Sequence, residues 1–296
     1  MRPPVLAGID GSECAAAAAD WAAREAARRG TALRLLHVSP ELAGPPTAAG
    51  PALERLHAMG ARLVQRTAER LTARHPDLDV EGEQADEPPV LALLGAARAA
   101  GLLVVGSRGT GGFRDLVVGS VALRVAAAAS CPVVVVPLPA GTFADGTAPP
   151  RDTGRIVLGF DAHRPSGEAA DFAFRSADAR TAGLHVVQAW ALPAESVSPR
   201  TFVVTEEDRA TWEDQEVLGL SDALRPWQEK YPRVRVATDL MLLHAAEALV
   251  NASRDADLLV VGRRTDPGAA EGRLGPVTHA VLHHARCPVA VVPHGA

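Results

Sequence analysis

Glycine and serine residues in the first half of the chain have the spacing of a phosphate-binding loop. The segment Gly106-Ser107-Arg108-Gly109 is followed by nine residues, 110–118, and then by Gly119-Ser120. Glycines let several backbone N–H groups turn toward one point, and the N-terminus of a following helix adds donors and a favourable dipole. The pattern therefore favours phosphate binding by backbone amides, although a glycine-rich loop with a serine cap is also a common tight connection.

Lysine-dependent phosphate chemistry has a single candidate, because Lys230 is the only lysine among 30 basic residues. No Lys-Ser or Lys-Thr pair follows the glycines, so the motif is not a Walker loop, and it lacks the GxGxxG dinucleotide fingerprint. Lys230 lies far from the motif in sequence, and we expect it to be solvated. A phosphate site here must use backbone amides and the Ser120 hydroxyl instead.

Asp10 is the acidic residue nearest to this chemistry. It directly follows an apolar run, in Gly8-Ile9-Asp10-Gly11-Ser12. An aspartate at the end of a first strand could contact a ligand, but Asp10 or Ser12 could equally do no more than cap the next helix. The residues alone leave both interpretations open.

The second half of the chain repeats the first. Residues 5–10 match residues 156–161 at an offset of 151, and residues 131–133 match residues 287–289 at an offset of 156. This period indicates a tandem duplication of one domain, because solenoid repeats are about 20 to 50 residues long. We predict a first domain at 1–140, a linker rich in Pro, Gly, Ala and Thr at 141–152, and a second domain at 153–296.

The second copy of the motif has lost donors. It reads Gly262-Arg263-Arg264-Thr265, then nine residues, then Gly275-Pro276. Thr265 replaces a glycine with a β-branched residue that resists positive φ, and Pro276 removes both a hydroxyl and a backbone N–H. Proline is acceptable at a helix start, so the second domain is expected to keep its fold but to be degenerate as a phosphate site.

Short apolar runs alternate with longer helical patterns along each copy. The first copy has runs at 5–9, 33–38, 80–83, 102–106 and 133–136, with an amphipathic helix between the second and third. Strands and helices in alternation predict an α/β fold with a parallel, doubly wound sheet. In such a sheet, ligands bind at the carboxyl ends of the strands where the strand order reverses, and both Asp10 and the glycine motif fall there.

Composition excludes several classes of function. The formal net charge is −5, and no basic run suggests contact with nucleic acid. Cys14, Cys131 and Cys287 form no CxxC pair, so neither a disulfide framework nor a zinc site is expected, and a reducing cytoplasm is the simplest location. The longest uncharged stretch, 125–144, is interrupted by proline and glycine, and we expect no membrane segment.

The complete first motif, G-x2-G-x9-G-S after the fourth strand with an aspartate ending the first, resembles the ATP-binding group of universal stress proteins. The resemblance covers both halves, and the tandem form also occurs in that family. It implies two tandem Rossmann-like domains, each a five-stranded parallel sheet with helices on both faces. It also implies bound ATP with Mg²⁺, and a homodimer that commonly uses the last strand, here 133–136 or 289–292.

The resemblance also implies roles for individual residues. Asp10 would meet the ribose or adenine end of the nucleotide, and Val38 would line the adenine pocket. The ribose and phosphates would be wrapped by Gly106, Ser107, Arg108 and Gly109. Phosphate donors would come from Gly119, Ser120, Val121 and Ala122. Ala122 departs from the small hydroxyl residue often seen there, which removes one side-chain hydrogen bond.

Three functions stay open at this point. The first is an ATP-binding stress-response or signalling module that contacts an unidentified partner protein and has at most slow ATP hydrolysis. The second is an enzyme of the related adenine-nucleotide α-hydrolase-like folds, although the Ser-Gly-Gly loop after strand one and the HIGH-type residues are missing. The third is a nucleotide-free interaction scaffold of the same family. We predict the first, since no residue stands out as a general base at the phosphates.

Overall fold

The computed structural model of the protein forms one ten-stranded sheet. It describes residues 2–39, 51–110, 117–138, 153–190, 206–265 and 272–295. Its strand order is β3-β2-β1-β4-β5-β10-β9-β6-β7-β8. Every neighbouring pair is parallel except β5 and β10, which are antiparallel. The predicted linker 141–152 lies outside the described residues.

The first half alternates strands and helices as its sequence pattern predicts. Its elements are β1 (Val5–Ile9), α1 (Glu13–Arg29), β2 (Leu33–Val38), α2 (Pro51–Arg74), β3 (Val80–Ala85), α3 (Pro89–Ala97), β4 (Leu102–Gly106), α4 (Ser120–Ala128) and β5 (Val133–Val136). The prediction for β3 ended at Glu83, two residues too early. β3 is an edge strand that continues because Ala85 pairs with Val38 of β2.

The second half repeats this order with longer last strands. Its elements are β6 (Arg155–Gly159), α5 (Gly167–Arg180), β7 (Gly183–Ala189), α6 (Glu206–Lys230), β8 (Val236–Met241), α7 (Ala245–Ala252), β9 (Leu258–Arg264), α8 (Pro276–His284) and β10 (Val289–His294). The two halves are therefore Rossmann-like units with five parallel strands each. No described helix combines the length and apolar character that a membrane crossing requires.

Local capping explains where α1 begins and ends. The Ser12 hydroxyl accepts a hydrogen bond from the Ala15 N–H at 3.1 Å, which satisfies one free donor of the first turn. Gly30 ends the helix in the left-handed region, at φ 59°, where glycine has no Cβ penalty. α1 therefore starts three residues after Asp10, directly after its N-cap Ser12, and its position is set by the same short turn.

The last strands of the two halves pair with each other. Val133, Val134 and Val135 of β5 lie opposite Val291, Ala290 and Val289 of β10. Neither strand is therefore available to a second chain in the way that the family resemblance implied, because each one has a neighbour on both sides. A homodimer stays a prediction, and it would have to use another surface.

Helices α1 and α5 reinforce this join above the sheet. The Glu25 carboxylate of α1 accepts hydrogen bonds from Arg29 of its own helix and from Arg180 of α5. The Arg180 guanidinium also lies over the Trp21 ring at 5.7 Å, and the Arg29 guanidinium lies over the Phe172 ring at 5.4 Å. Arg29 and Arg180 thus occupy equivalent positions of the duplicated helix, and each contacts a residue of the other half.

Two cysteines are packed against the sheet and should be inert. Burial raises the pKa of the Cys131 thiol to about 11 and that of Cys287 to about 12. Because the thiolate is the reactive form, neither residue should react with a maleimide at pH 8 in the folded protein, and both should react after unfolding in urea. Peptide mapping by mass spectrometry measures this directly. Equal labelling with and without urea would contradict the packing described here.

Candidate functional site

The predicted site lies where the strand order of the first half reverses. β1 has β2 on one side and β4 on the other, and the chain passes from β3 to β4 across this point. The carboxyl ends of β1 and β4 therefore open onto a common crevice, which is the usual ligand position in an open α/β sheet. Asp10 follows β1 at this crevice, and Ser107 follows β4.

Asp10 ties these two strand ends together. Its Oδ1 accepts a hydrogen bond from the Ser12 N–H at 2.9 Å, and its Oδ2 accepts one from the Thr110 N–H at 3.0 Å. The Ser12 hydroxyl, 3.3 Å from the Arg108 carbonyl oxygen, donates to the same loop. Ser12 is thus the helix cap that the sequence left open, whereas Asp10 positions the glycine motif. This positioning contact across 100 residues was missed, because short-range sequence patterns do not show it.

Two glycines of the motif, Gly106 and Gly109, are required because neighbouring atoms leave no room for a Cβ. A Cβ on Gly109 would lie 2.4 Å from Asp10 Oδ2, and a Cβ on Gly106 would lie 2.6 Å from the backbone carbonyl carbon of Cys14. Real Cβ atoms do not approach other heavy atoms this closely. The first glycine therefore lets β4 lie against the start of α1, and the second lets the loop reach the Asp10 carboxylate.

The N-terminus of α4 presents backbone donors at the same crevice. The first helical bond runs from the Leu123 N–H to the Gly119 carbonyl, at 3.2 Å, so the amides of Ser120, Val121 and Ala122 have no partner within the helix. The N-cap residue, Gly119, provides no side-chain cap. Its own N–H donates to the Ser107 carbonyl at 2.7 Å, which holds the helix start beside the β4 loop.

The structure brings the predicted site residues to one edge of the sheet. Asp10, Gly106, Ser107, Arg108, Gly109 and Gly119 are linked by the contacts above, and Ser120 is exposed at the helix start. Val38 lies at the end of β2, next to β1, and it is 7% exposed. Ala122 is buried, so its backbone amide and not its side chain is the relevant group. Residues 111–116, within the nine-residue spacer, lie outside the described residues.

The corresponding region of the second half has a different backbone. β9 continues through Arg264, because β10 pairs with it as far as His294. Thr265 then closes the pairing, with its N–H and its hydroxyl both donating to the His294 carbonyl at 2.8 Å. The residues that would wrap a phosphate as a loop are thus held as strand. Pro276 is the first residue of α8, as predicted.

Two other sets of residues that could do chemistry lie outside this site: Lys230 at the end of α6, and His279, His283 and His284 on α8. The lysine is exposed as expected, but it is not free: Lys230 donates to the Asp171 carboxylate. Burial alone would raise the pKa of Asp171, yet the hydrogen bonds from Lys230 and Tyr231 lower it overall.

The described residues contain no cluster of three or more His, Cys, Asp or Glu side chains that could hold a metal. Burial, followed by repulsion from its two histidine neighbours, lowers the pKa of His283.

Comparison with known proteins agrees with this architecture. The sequence pattern of the universal stress protein family matches residues 1–137 and again residues 153–293. A universal stress protein of Mycolicibacterium smegmatis is 43% identical over 299 residues, covering 97% of this chain and 96% of the relative. One from Mycobacterium tuberculosis H37Rv is 31% identical over 294 residues, again covering 97% and 96%.

A solved structure supports the fold independently of sequence. The crystal structure of a universal stress protein from Archaeoglobus fulgidus superimposes with a TM-score of 0.67 over 98% of both chains, at 14% identity. At that identity the similarity establishes the fold alone. Together with the two matches of the family pattern, it shows that the chain belongs to the universal stress protein family and carries the family's domain twice.

Proposed function

We propose that the first half binds ATP at the crevice between β1 and β4, and that the protein is a nucleotide-dependent stress-response module with little or no catalysis. The observation that carries the proposal is the convergence of three amides without a partner in α4, at Ser120, Val121 and Ala122, with the glycine loop that Asp10 holds in place. Backbone amides at a helix N-terminus favour a phosphate chain without a lysine.

The hydrogen bonding of Asp10, the acidic residue nearest to the site, favours retention of bound ATP over its hydrolysis. Both carboxylate oxygens of Asp10 already accept backbone N–H groups. These hydrogen bonds restrict the orientation of the carboxylate, which suits a positioning residue better than a mobile general base. Mg²⁺ would enter with the phosphates, since it is usually held by phosphate oxygens, water and one or two carboxylates.

A single substitution that introduces the residue found at the equivalent position of the second half tests the site. Ser120→Pro reproduces the Gly275-Pro276 start of α8 and removes one amide and one hydroxyl. Gly119 has φ −79° and ψ 156°, the extended conformation that a residue before proline adopts, so α4 should form as before. We expect the Kd for ATP with Mg²⁺, measured by calorimetry on the full chain, to rise at least about tenfold, since a hydrogen bond to a charged group contributes roughly 1.5–3 kcal/mol.

The matched variant Ser120→Ala keeps the amide and loses only the hydroxyl. Its Kd should rise by a smaller factor, and the difference between the two variants measures the amide. Thermal unfolding of both should match the parent protein. ATP binding of unchanged strength in Ser120→Pro would refute the site, and no binding to the parent at millimolar ATP would favour a nucleotide-free scaffold. Release of phosphate at about 1 per second or faster would instead indicate an enzyme.

A further inference from the structure

The second half contains a basic cavity where the first half has its glycine loop. The cavity has a volume of about 430 Å³ and lies at the carboxyl end of β9. Its charged lining consists of four arginines and one aspartate: Arg164, Arg263, Arg264, Arg273 and Asp161. Asp161 lies 3.4 Å from Arg164, so the other three arginines are not neutralised by this pair.

Arg263 is the buried member of this set. It is 6% exposed, and its guanidinium donates one hydrogen bond to the Ala129 carbonyl at the end of α4. Its Nε is buried without a partner, and no carboxylate of the described residues lies within ion-pair distance. Burial lowers the pKa of Arg263. A buried cation without a counter-charge is costly, so an anion in the cavity would be stabilised by the charge that the described residues leave uncompensated.

The N-terminus of α8 faces the same cavity. The first helical bond there runs from the His279 N–H to the Gly275 carbonyl, at 2.9 Å, and Gly275 provides no side-chain cap. The amides of Val277 and Thr278, both of which line the cavity, therefore have no partner within the helix. Two amides remain where the first half has three, and arginines have been added beside them.

The cavity does not extend to the side of the crevice that would receive a nucleobase, because Ala189, the counterpart of Val38 at the end of β7, does not line it. The neighbouring residue, Gln188, is 2% exposed, and both ends of its amide are used. Its oxygen accepts from the Ala162 N–H at 2.9 Å, and its nitrogen donates to Glu216 at 2.7 Å. Glu216 also holds His163, at 2.9 Å. None of Gln188, Glu216 and His163 lines the cavity, which ends before it reaches β7.

We propose that this cavity binds a small polyanion that carries at least two phosphate groups and no nucleobase. The guanidinium groups match phosphate oxygens in charge and in hydrogen-bond geometry, and they replace the glycine amides lost at Thr265 and Pro276. The site is distinct from the ATP site proposed for the first half. The duplication would then have kept phosphate recognition in both halves, by amides in one and by arginines in the other.

Inorganic pyrophosphate is the probe that tests this site. Calorimetric titration uses the full chain carrying Ser120→Pro, so that binding to the first half is weakened whether or not that half binds ATP. Replacing Arg264 and Arg273 by glutamine removes two exposed guanidinium groups of the cavity and leaves the buried Arg263 in place. We expect this double variant to raise the Kd for pyrophosphate at least about tenfold, given the strength of charge-assisted hydrogen bonds.

The control variant removes two positive charges of the second half that lie outside the cavity. Arg225 and Arg233 are exposed arginines of the second half that do not line the cavity. Their replacement by glutamine should leave the Kd for pyrophosphate within about twofold, because exposed charges more than about 10 Å away are screened by salt. No pyrophosphate binding, or an equal loss in both double variants, would overturn the proposal. If the Ser120→Pro chain binds ATP as tightly as it binds pyrophosphate, the proposal that the ligand carries no nucleobase is wrong.

Discussion

Replacement of Glu25 by alanine is expected to lower the free energy of unfolding by about 3–5 kcal/mol, the range for breaking a buried ion pair from one side. The Glu25 and Arg180 side chains are 3% and 5% exposed, and the pair joins the two halves. Burial lowers the pKa of Arg180, and the Glu25 carboxylate opposes that shift. Without Glu25, the Arg180 guanidinium stays buried beside Arg29 with no carboxylate to balance it.

Urea unfolding followed by circular dichroism measures the effect of this change. Glu25→Gln removes the charge but keeps the shape and one acceptor oxygen, so one of the two arginines keeps its hydrogen bond and the variant should cost less than Glu25→Ala. Arg225→Ala breaks an exposed ion pair with Asp222 and should change stability by less than about 1 kcal/mol. A loss below about 1 kcal/mol for Glu25→Ala would show that the pair does not hold the halves together.

Gly106→Ala is expected to lower stability by about 1–3 kcal/mol, the usual cost of overpacking, and to weaken ATP binding in the same protein. The added Cβ would lie 2.6 Å from the Cys14 carbonyl carbon and 2.8 Å from its oxygen. These are backbone atoms of a helix that Ser12 caps, so no side chain can rotate away. The shift has to be taken up by α1 or by the glycine loop, and both form the crevice.

Gly95→Ala is the matched control for this substitution. Gly95 lies inside α3, and a Cβ there would meet nothing within 4 Å. Alanine in a helix is favoured over glycine by roughly 0.5–1 kcal/mol, so this variant should be slightly more stable than the parent. Both variants can be compared by thermal unfolding and ATP calorimetry. A Gly106→Ala chain as stable as Gly95→Ala would contradict the close approach of β4 and α1.

Local patterns in the sequence were sufficient to predict the crevice. The strands β1 and β4 begin and end where predicted, because continuous apolar runs stop at Asp10 and Ser107. Parallel topology then brings their ends together without any knowledge of side-chain contacts. The end of β3 was harder to predict. Glu81 and Glu83 are exposed on this edge strand, so the sequence lacks a continuous apolar run that extends to the last paired residue, Ala85.

The join between the halves could not be read from the residues. The run Val133–Val136 is equally suited to pairing with a second chain or with the same chain, since an apolar strand carries no information about the identity or direction of its neighbour. The extension of β9 was hidden for a similar reason. Arg263 and Arg264 do not resemble buried strand residues, and they are held in the sheet by the length of β10.

The antiparallel contact between β5 and β10 also decides which way each crevice opens. All strands of one half run parallel to β5, and all strands of the other run parallel to β10, so their carboxyl ends lie on opposite edges of the shared sheet. A molecule that approaches one crevice along the strands meets the amino ends of the other half. The duplication has therefore given the protein two crevices whose openings face away from each other, so that occupancy of one would leave access to the other unobstructed.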